Sequence, residues 1–504
     1  MKTIHQFKIK LSFLFAAILL SFSVQAQEPE LDKLKDDFEK YRQNLENRFD
    51  TYRDSVDRAF VRFLRDSWKD FAVYAGNPTP IAPDVKPKNQ PNYPKPDYNF
   101  APANRRSEEI ASEIVNPGRQ SSDSDFKPSL DSEDEKSESR AIMRTLDIQF
   151  YGLQLPLQYD MNLKISLNRS FNQSIPEAWE TLSEADYYPT LMNFIKVSEG
   201  TNLNDWGYVQ LVRKFASQLY PRQYNEQVLF TCFMLNKSGY IAKIGYNRQA
   251  LFLLLPSPQE VYNTPYMNVE GLKYYVHSFN PDYGHVASIK TYEGQYREND
   301  HSIDFTFKKS LHLPKNIQTK TIHFTAEVKH SLDIQYNQNL IDFYEEMPAI
   351  GFNVTLSAPL SEPALNSLKT GLQPLLEGKN EKQKVDLLLN FVQHGFEYQT
   401  DQEQFGKEKY FFPEEVLHYP ASDCEDRSAL FATLVKEVVG LEVIGLVFPQ
   451  HVATAVKFPT EIQGDFVTHE NQKYLICDPT YIGAEAGMAM PKFKNSSVQL
   501  VLLD

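Results

Sequence analysis

The sequence predicts an α+β protein whose C-terminal part packs a cysteine-bearing helix on an antiparallel sheet. Apolar residues recur at helical spacing after Cys424, apolar strand-like segments follow, and short polar turns separate those segments. Composition divides the rest of the chain. We expect these segments: 1–26, an export signal; 27–75, a long helix; 76–140, a disordered linker; 141–285, a mixed α/β region; 286–375, a β-rich region; and 376–504, the C-terminal domain.

The first residues have the pattern of an export signal. Basic Lys2, Lys8 and Lys10 precede an apolar stretch at 11–22, and the small residues before Gln27 suit signal peptidase. The apolar stretch is short for a bilayer span, and no longer one follows it. We therefore expect cleavage after Ala26 and a periplasmic or secreted protein with no membrane span.

Charge and cysteine content limit the classes of partner and metal site that the chain is expected to have. The formal net charge of −14 disfavours nucleic acid and anionic membranes as general partners, because both would repel the average surface. The cysteines are Cys232, Cys424 and Cys477, an odd number with no zinc-type spacing. We predict no metal and no cofactor. Buried, inert thiols are favoured for Cys232 and Cys477, and a disulfide between them requires their two helix-strand units to be adjacent.

A long amphipathic helix is predicted before the linker. Apolar residues recur from Leu31 to Phe71 at a mean step close to 3.6 residues, which gives one continuous stripe. Docking of this stripe on the body of the protein is the favoured interpretation. Self-association through a coiled coil is the less favoured alternative, because a coiled coil requires a period of 3.5 residues and the observed period departs from it. After Gly76, a composition rich in Pro, Asn, Asp, Ser and Lys predicts a disordered linker to about Arg140.

The body begins near Ile142 and alternates helix and strand signals. "LDIQFYGLQLPL" alternates like a strand, residues 178–219 read as mostly helical, and "NEQVLFTCFMLNKSGYIAKIGY" reads as a helix, a glycine stop and a strand. Strand signals then dominate from 288 to 357, including "GFNVTLSAPL", as expected of a β domain or an insertion. A helix is predicted over 382–396.

Residues 223–245 resemble 424–446 when Gly239 is matched to Gly440. The match is compatible with a degenerate copy of the later unit and also with two unrelated amphipathic helices. In a true repeat the earlier copy would lack the chemistry of the later one, because Gln223 falls at the place of Cys424 and Ala250 at the place of a later histidine.

Cys424 is predicted in the first turn of a helix that ends at Gly440. Ser422 or Asp423 suits the N-cap, and the helix start favours a thiolate. The neighbouring acids act in the opposite direction if their charges face the sulfur. Asp423, Glu425, Asp426 and Arg427 are expected to cap the helix and to be solvated. A nucleophilic Cys424 therefore needs a general base.

The strands after this helix supply a base and an acid. "QHVATAVKFP" reads as a strand that begins with His451, and "KYLICDPTY" as one that ends in Asp478. An acid on a neighbouring strand can fix the imidazole tautomer while the imidazole takes the thiol proton. His469 is the competing base, but its place in the predicted turn "THENQ" makes His451 the preferred one.

The segments "DCEDRSALFATLVKEVVGL", "HVATAV" and "CDPTY" resemble the transglutaminase-like superfamily, relatives of the papain-like cysteine peptidases. The resemblance covers about 380–485 and implies an α+β fold with catalytic residues Cys424, His451 and Asp478. The family often has Gly two residues before the cysteine, where this chain has Ser422. The usual oxyanion-hole residue is not identified, and Tyr398 and Gln399 are the candidates for it.

Two classes of function follow. The first is an exported cysteine peptidase or amidohydrolase that acts on a protein or peptide substrate through an acyl-enzyme. The second is a catalytically silent binding or assembly protein on the same scaffold. A protein cross-linking transglutaminase is a further alternative, which is less favoured because no amine-acceptor site is recognisable.

Overall fold

The computed structural model describes residues 55–80, 109–114, 141–284, 286–296 and 299–503. The expected signal peptide, the first half of the long helix and most of the linker lie outside the described residues. Within those ranges, none of the helices combines the length and apolar character needed to cross a bilayer.

Helices and strands are mixed along the described chain, as the α+β prediction requires. The strands in chain order are β1 (Lys69–Ala72), β2 (Ser112–Ile114), β3 (Met143–Phe150), β4 (Leu153–Asp160), β5 (Lys243–Tyr246), β6 (Leu251–Pro256), β7 (Tyr266–Val269), β8 (Leu272–His277), β9 (Ser288–Thr291), β10 (Ile317–Thr325), β11 (Lys329–Asn337), β12 (Glu397–Tyr398), β13 (Ala421–Ser422), β14 (Val443–Phe448), β15 (His451–Lys457), β16 (Phe466–His469), β17 (Gln472–Cys477) and β18 (Val498–Leu502).

The helices pack on two six-stranded sheets, and the strands outside these sheets form the pairs β3–β4, β10–β11 and β12–β13. The helices are α1 (55–66), α2 (Phe171–Glu184), α3 (Tyr188–Thr201), α4 (Asp205–Leu219), α5 (Tyr224–Lys237), α6 (Gln338–Glu345), α7 (Phe352–Ser357), α8 (Glu362–Leu376), α9 (Glu381–Gly395), α10 (Asp401–Gln404), α11 (Pro413–His418) and α12 (Cys424–Leu434).

The first sheet has the strand order β1-β9-β5-β6-β8-β7. Its helical side forms a large aromatic core that includes Trp179, Leu211 and Phe230, and a smaller apolar layer covers the opposite face. The β7–β8 hairpin turns on Glu270 and Gly271, both with positive φ, as a two-residue turn requires. This half is therefore a set of helices packed on an antiparallel sheet whose central strands, β5 and β6, are buried on both faces.

The second sheet has the strand order β2-β18-β14-β15-β17-β16. Leu430, Phe431 and Leu434 of α12 belong to the core on its helical side, and Ile444 and Ile476 belong to the layer on the other face. The β16–β17 turn, Glu470-Asn471, again has positive φ at both residues. A π-helical turn over Val435–Val439 continues α12 to the left-handed Gly440, so the predicted helix and its stop are confirmed, as are the strands that follow it and the "THENQ" turn.

The two sheets share one strand order. Each of β5-β6-β7-β8 and β14-β15-β16-β17 follows a helix that ends near a left-handed glycine, Gly239 in the first half and Gly440 in the second. Leu253 pairs with His277 in the first sheet, as Thr454 pairs with Cys477 in the second. Only the outermost pair differs, because β1 is antiparallel to β9 whereas β2 is parallel to β18.

The predicted long helix is shorter at its end than expected. Residues 55–66 are helical, but Lys69–Ala72 is a strand that pairs with Ser288–Thr291. The helical prediction for 69–72 is wrong because that segment extends the edge of the first sheet. Phe60 of α1 is buried, and Asp57 bonds to the buried Lys237, so the described part of this helix docks on the body.

Two other predictions need correction. Residues 109–114 are structured, although they fall in the predicted disordered linker: Ile110 is buried, and Ser112–Ile114 pairs with β18. The strand predicted at "GFNVTLSAPL" is wrong, because Phe352–Ser357 is a helix whose Phe352 and Leu356 enter the second core. Its apolar spacing fits both periods over so short a stretch.

Candidate functional site

Cys424 is the first residue of α12 and is fully buried. Its thiol donates a hydrogen bond to Glu425 Oε2, with 3.0 Å between sulfur and oxygen. Burial and the charges of Glu425 and Asp423 raise the pKa of the thiol, and a hydrogen bond with the Val452 backbone offsets part of this rise. The start of α12 therefore packs against the start of β15.

Capping fixes the start of α12. Asp423 is the N-cap residue, and its backbone N–H donates to Asp426 Oδ2 at 3.2 Å. Asp426 Oδ1 accepts from Phe411 N at 2.8 Å, which ties the preceding segment to the same turn. Of the two residues predicted to suit the N-cap, Asp423 takes that place, and Asp426 is the residue that closes the cap.

His451 and Asp478 are hydrogen-bonded to each other. His451 begins β15, Asp478 follows β17, and His451 Nε2 lies 2.7 Å from Asp478 Oδ2. Asp478 Oδ1 accepts from Thr480 N at 2.9 Å and from Thr480 Oγ1 at 2.8 Å. Burial opposes ionisation, but His451 and the Thr480 donors hold the pKa of Asp478 below its usual value.

The other imidazole nitrogen of His451, Nδ1, makes no hydrogen bond within the described residues. Nδ1 is buried and has no hydrogen-bond partner anywhere in the described chain, so it is not bonded to Cys424. Phe493 stacks on the imidazole with ring centres 4.8 Å apart and planes 4° apart. The ring is thus fixed in orientation by Asp478 on one edge and Phe493 on one face.

Gln393 is a site residue that sequence reasoning missed. This buried residue of α9 donates from Nε2 to the carbonyls of Asp478, Tyr481 and Ala484, at 3.1, 2.9 and 3.1 Å. Its Oε1 accepts from Gly483 N at 3.0 Å. Gln393 therefore holds the loop that carries Asp478. Its available signal was a polar residue among the apolar positions of "LLLNFVQHGF".

The acids around Cys424 are buried, so the expectation that they are solvated is wrong. Asp423, Glu425 and Asp426 are 2%, 1% and 1% exposed. Burial and mutual repulsion raise the pKa of Asp423 well above its usual value. Burial is also the main reason that the pKa of Glu425 rises to about 8 and that of Asp426 to about 7. Capping signals alone do not reveal burial.

Asp401 completes this acidic group and was also missed. It begins the short helix α10, is buried, and accepts from Lys409 N through Oδ2 at 2.6 Å. Burial and the charges of Asp426 and Glu425 raise its pKa to about 10. Ligand atoms of Asp401, Asp423 and Glu425 lie within 4.8 Å of one another, so these three are the residues that could hold a metal ion here.

Arg427 and Tyr398 lie beside the same turn. Arg427 is buried, donates from Nη2 to Phe396 O at 2.6 Å, and lies over the Tyr398 ring at 5.3 Å from its centre. Burial lowers the pKa of Arg427 to about 10. The Tyr398 hydroxyl is buried and has no partner among the described residues. Burial, followed by the charges of Cys424, Asp423 and Glu425, raises its pKa.

Other candidate residues lie elsewhere or are inert. His469 ends β16 near Tyr474, with ring centres 6.5 Å apart, while the histidine bonded to Asp478 is His451. Cys232 and Cys477 are free and buried, so the alternative of a disulfide between them is not realised. Burial raises the pKa of both thiols, which fits the inert role favoured for them.

The first sheet has no equivalent of the His451–Asp478 pair. Three residues before Leu253 lies Ala250, at the place that His451 holds before Thr454. One residue after His277 lies Ser278, at the place that Asp478 holds after Cys477. The two halves thus share a topology but differ in the side chains at these positions.

Comparisons with known proteins do not assign the chain to a family. Models of known protein families gave no match, and neither the curated proteins nor the solved structures gave one. The site geometry is therefore the basis on which a function is argued.

Proposed function

We propose that the chain is a cysteine hydrolase of the transglutaminase-like type that cleaves peptide or isopeptide bonds. The observation that carries this proposal is the 2.7 Å hydrogen bond between His451 Nε2 and Asp478 Oδ2. Because this bond keeps a proton on Nε2, the other nitrogen of His451, Nδ1, which has no partner among the described residues, is able to accept a proton. The Cys424 thiol lies against the backbone of Val452, the residue that follows His451.

Each member of the triad has a defined task in this proposal. The Cys424 thiol leaves Glu425 and passes its proton to His451 Nδ1, while the sulfur bonds to the substrate carbonyl carbon. His451 then gives that proton to the departing amine as the C–N bond breaks, which leaves a thioester. Water hydrolyses the thioester and frees the thiol. Asp478 holds the imidazole and stabilises its charged form.

The start of α12 supplies stabilisation for the developing oxyanion. Backbone N–H groups of the first helical turn have no partner within the helix and point toward a charge at its start. The buried Tyr398 hydroxyl, which has no partner in the described part of the chain, is a second donor near the thiol. This assignment keeps Tyr398, rather than Gln399, as the candidate.

Substrate access requires movement of the segment that contains Tyr410 and Phe411, which packs on the first turn of α12. Phe411 N donates to Asp426, and the Tyr410 hydroxyl donates to Pro80 O at 3.0 Å. Cys424 and His451 are 0% and 1% exposed in the arrangement described. We expect this segment and residues near Pro80 to be displaced when a peptide binds.

A thiol-directed probe tests the proposal. The chain from Gln27 onward is treated with iodoacetamide or a peptidyl chloromethyl ketone at several pH values, and labelled peptides are identified by mass spectrometry. Selective labelling of Cys424 is expected, with a rate reduced about 100-fold in His451→Ala. The matched control is His469→Ala, which removes an imidazole away from Asp478 and should leave the rate unchanged. Equal, slow labelling of Cys232, Cys424 and Cys477 would refute the proposal.

One observation favours the second candidate, a catalytically silent binding or assembly protein. Burial and the charges of Glu425 and Asp423 raise the pKa of the Cys424 thiol well above its usual value, which opposes thiolate formation. This candidate predicts that no peptide or amide substrate is turned over and that Cys424→Ala leaves partner binding unchanged. The probe experiment separates the two, because only the enzyme needs His451 for labelling.

A further inference from the structure

We propose that Asp401, Asp423 and Glu425 form a binding site for a divalent cation with a preference for oxygen ligands. The three carboxylates come from two elements, α10 and the start of α12, and their ligand atoms lie within 4.8 Å of one another. All three residues are buried. This inference departs from the expectation, drawn from cysteine and histidine spacing, that the chain binds no metal.

Unpaired oxygens within the cluster point to a ligand. Asp423 Oδ1 and Glu425 Oε1 are buried and accept from no donor group of the residues that the structure describes; the two carboxyl groups lie close enough to bond to each other only when one of them carries a proton. Most buried polar atoms in folded proteins are paired, and an unpaired carboxylate oxygen is especially costly. The other Glu425 oxygen is occupied by the Cys424 thiol, and Asp401 Oδ2 by Lys409 N. The two orphaned oxygens are thus the ones left to coordinate an ion.

The local charge balance is strongly negative. Asp426 is also buried beside the three ligands, and the buried Glu415 lies close to Asp426. The basic groups nearby are directed elsewhere: Lys409 Nζ bonds to Glu415, and Arg427 donates to the carbonyls of Phe396 and Gln393. Buried carboxylates must be neutralised by protons or by cations. A bound divalent cation replaces the protons that the cluster would otherwise hold.

The donor set favours calcium. Carboxylate oxygens are the ligands of hard cations, and Ca²⁺ accepts six to eight oxygens in flexible geometry. One oxygen from each carboxylate gives three ligands while the hydrogen bonds to Glu425 Oε2 and Asp401 Oδ2 are kept, and release of those two bonds would let the carboxylates bind through both oxygens. Magnesium requires a near-ideal octahedron and usually keeps several waters, which a cluster of fully buried residues does not favour. The buried hydroxyl of Tyr398 is a further oxygen near Asp423 and Glu425.

The site adjoins Cys424. The thiol donates to Glu425 Oε2 with 3.0 Å between sulfur and oxygen, so a cation held by Glu425 would lie beside the residue proposed as nucleophile. This consequence rests on the proposed function, whereas cation binding itself does not.

Calorimetry and thermal unfolding test the site directly. The chain from Gln27 onward is dialysed against EDTA, exchanged into buffer without chelator and titrated with CaCl₂. Saturable binding and a rise in Tm with calcium concentration are expected. Asp401→Asn and Glu425→Gln, which keep side-chain size, should each weaken binding about tenfold or more. Glu403→Gln is the control, because Glu403 is an exposed acid on the same short helix.

Other outcomes would overturn the inference. Absence of binding heat and of a Tm shift with calcium would do so, as would an equal response in Asp401→Asn and the wild type. Tight zinc binding that Cys424→Ala abolishes, without calcium binding, would show a thiolate site instead. Cys424→Ala should retain calcium binding, so a failure of the proposed hydrolase and a failure of the cation site give different results.

Discussion

The thiol of Cys424 donates its hydrogen bond to Glu425, its immediate neighbour, with 3.0 Å between sulfur and oxygen. The residue proposed as nucleophile is therefore held in its protonated form by the residue beside it. Both side chains are buried, so solvent weakens this interaction little. The reactivity of the site then depends on what neutralises or displaces the Glu425 carboxylate.

Replacing Glu425 by glutamine should make Cys424 more acidic. Glutamine removes a buried negative charge that raises the thiol pKa, and its amide can donate to the thiolate. In buffer with EDTA, we expect the midpoint of the alkylation-rate profile to move to lower pH. Glu437→Gln, an exposed acid beyond the end of α12, is the control and should leave the midpoint in place. An unchanged midpoint in Glu425→Gln would show that the Glu425 carboxylate does not raise the pKa of the Cys424 thiol.

Replacing Asp478 by asparagine should slow alkylation of Cys424 about 100-fold or more. Thr480 N and Oγ1 both donate to Asp478 Oδ1, which favours keeping the asparagine oxygen on that side. The asparagine amide then faces His451 Nε2 and forces the proton onto Nδ1, which can no longer accept one. Circular dichroism checks folding, and an alkylation rate equal to that of the wild type would remove Asp478 from the mechanism.

Stability without divalent cations should fall as pH rises. Glu425 and Asp426 have pKa values of about 8 and 7 in the folded chain, above the ordinary 4.5 and 3.8. The folded state thus binds protons more tightly than the unfolded one. The stability from this proton binding is complete below about pH 4 and is lost as pH rises to about 8.

Urea unfolding at pH 5 and pH 8, both with EDTA, measures this loss. The difference in the free energy of unfolding should be smaller in Glu425→Gln than in the wild type, because the amide does not titrate. Glu437→Gln again serves as control. The same pH dependence in Glu425→Gln and the wild type would contradict the assignment.

The ion pair between Asp57 and Lys237 should be a major anchor of α1. Lys237 Nζ lies 2.7 and 2.6 Å from the two Asp57 oxygens, and both side chains are almost fully buried. Asp57→Ala leaves a buried ammonium group without this partner, and we expect a loss of about 3–5 kcal/mol. Urea unfolding measures it.

A half-exposed pair supplies the comparison. Lys214 and Glu346 are 28% and 43% exposed, so Lys214→Ala should cost no more than about 1 kcal/mol. In addition, Asp57→Asn combined with Lys237→Met should recover part of the stability lost in Asp57→Ala. A loss below 1 kcal/mol in Asp57→Ala would mean that α1 is held mainly by its apolar contacts.

Local signals predicted the second half of the fold well. The apolar spacing after Cys424, the stop at Gly440 and the turn at Glu470-Asn471 each depend on nearby residues, and each is present in the structure. His451 and Asp478 were expected on neighbouring strands, and β15 and β17 are neighbours in the sheet although β16 separates them along the chain. The roles of both residues in catalysis stay predictions.

Features that depend on distant residues were not predictable from local signals. The apolar stripe of the long helix continues into 69–72, but pairing with Ser288–Thr291 makes that segment a strand. The acids beside Cys424 fit a solvated cap by residue type, and they are buried because α7, α9, α11 and β15, which come from other parts of the chain, pack around α12. Asp401 and Gln393 come from separate elements, so no spacing in the chain connects them to the site.

Strand β2 joins residues that are far apart along the chain, since Ser112–Ile114 pairs with residues 498–500 of β18. During synthesis, residues 112–114 are made long before their partner strand exists. The edge of the second sheet can therefore be completed only after residues 498–500 have been made. Because β1 pairs with Ser288–Thr291, the first half is able to complete its sheet before the strands of the second half exist.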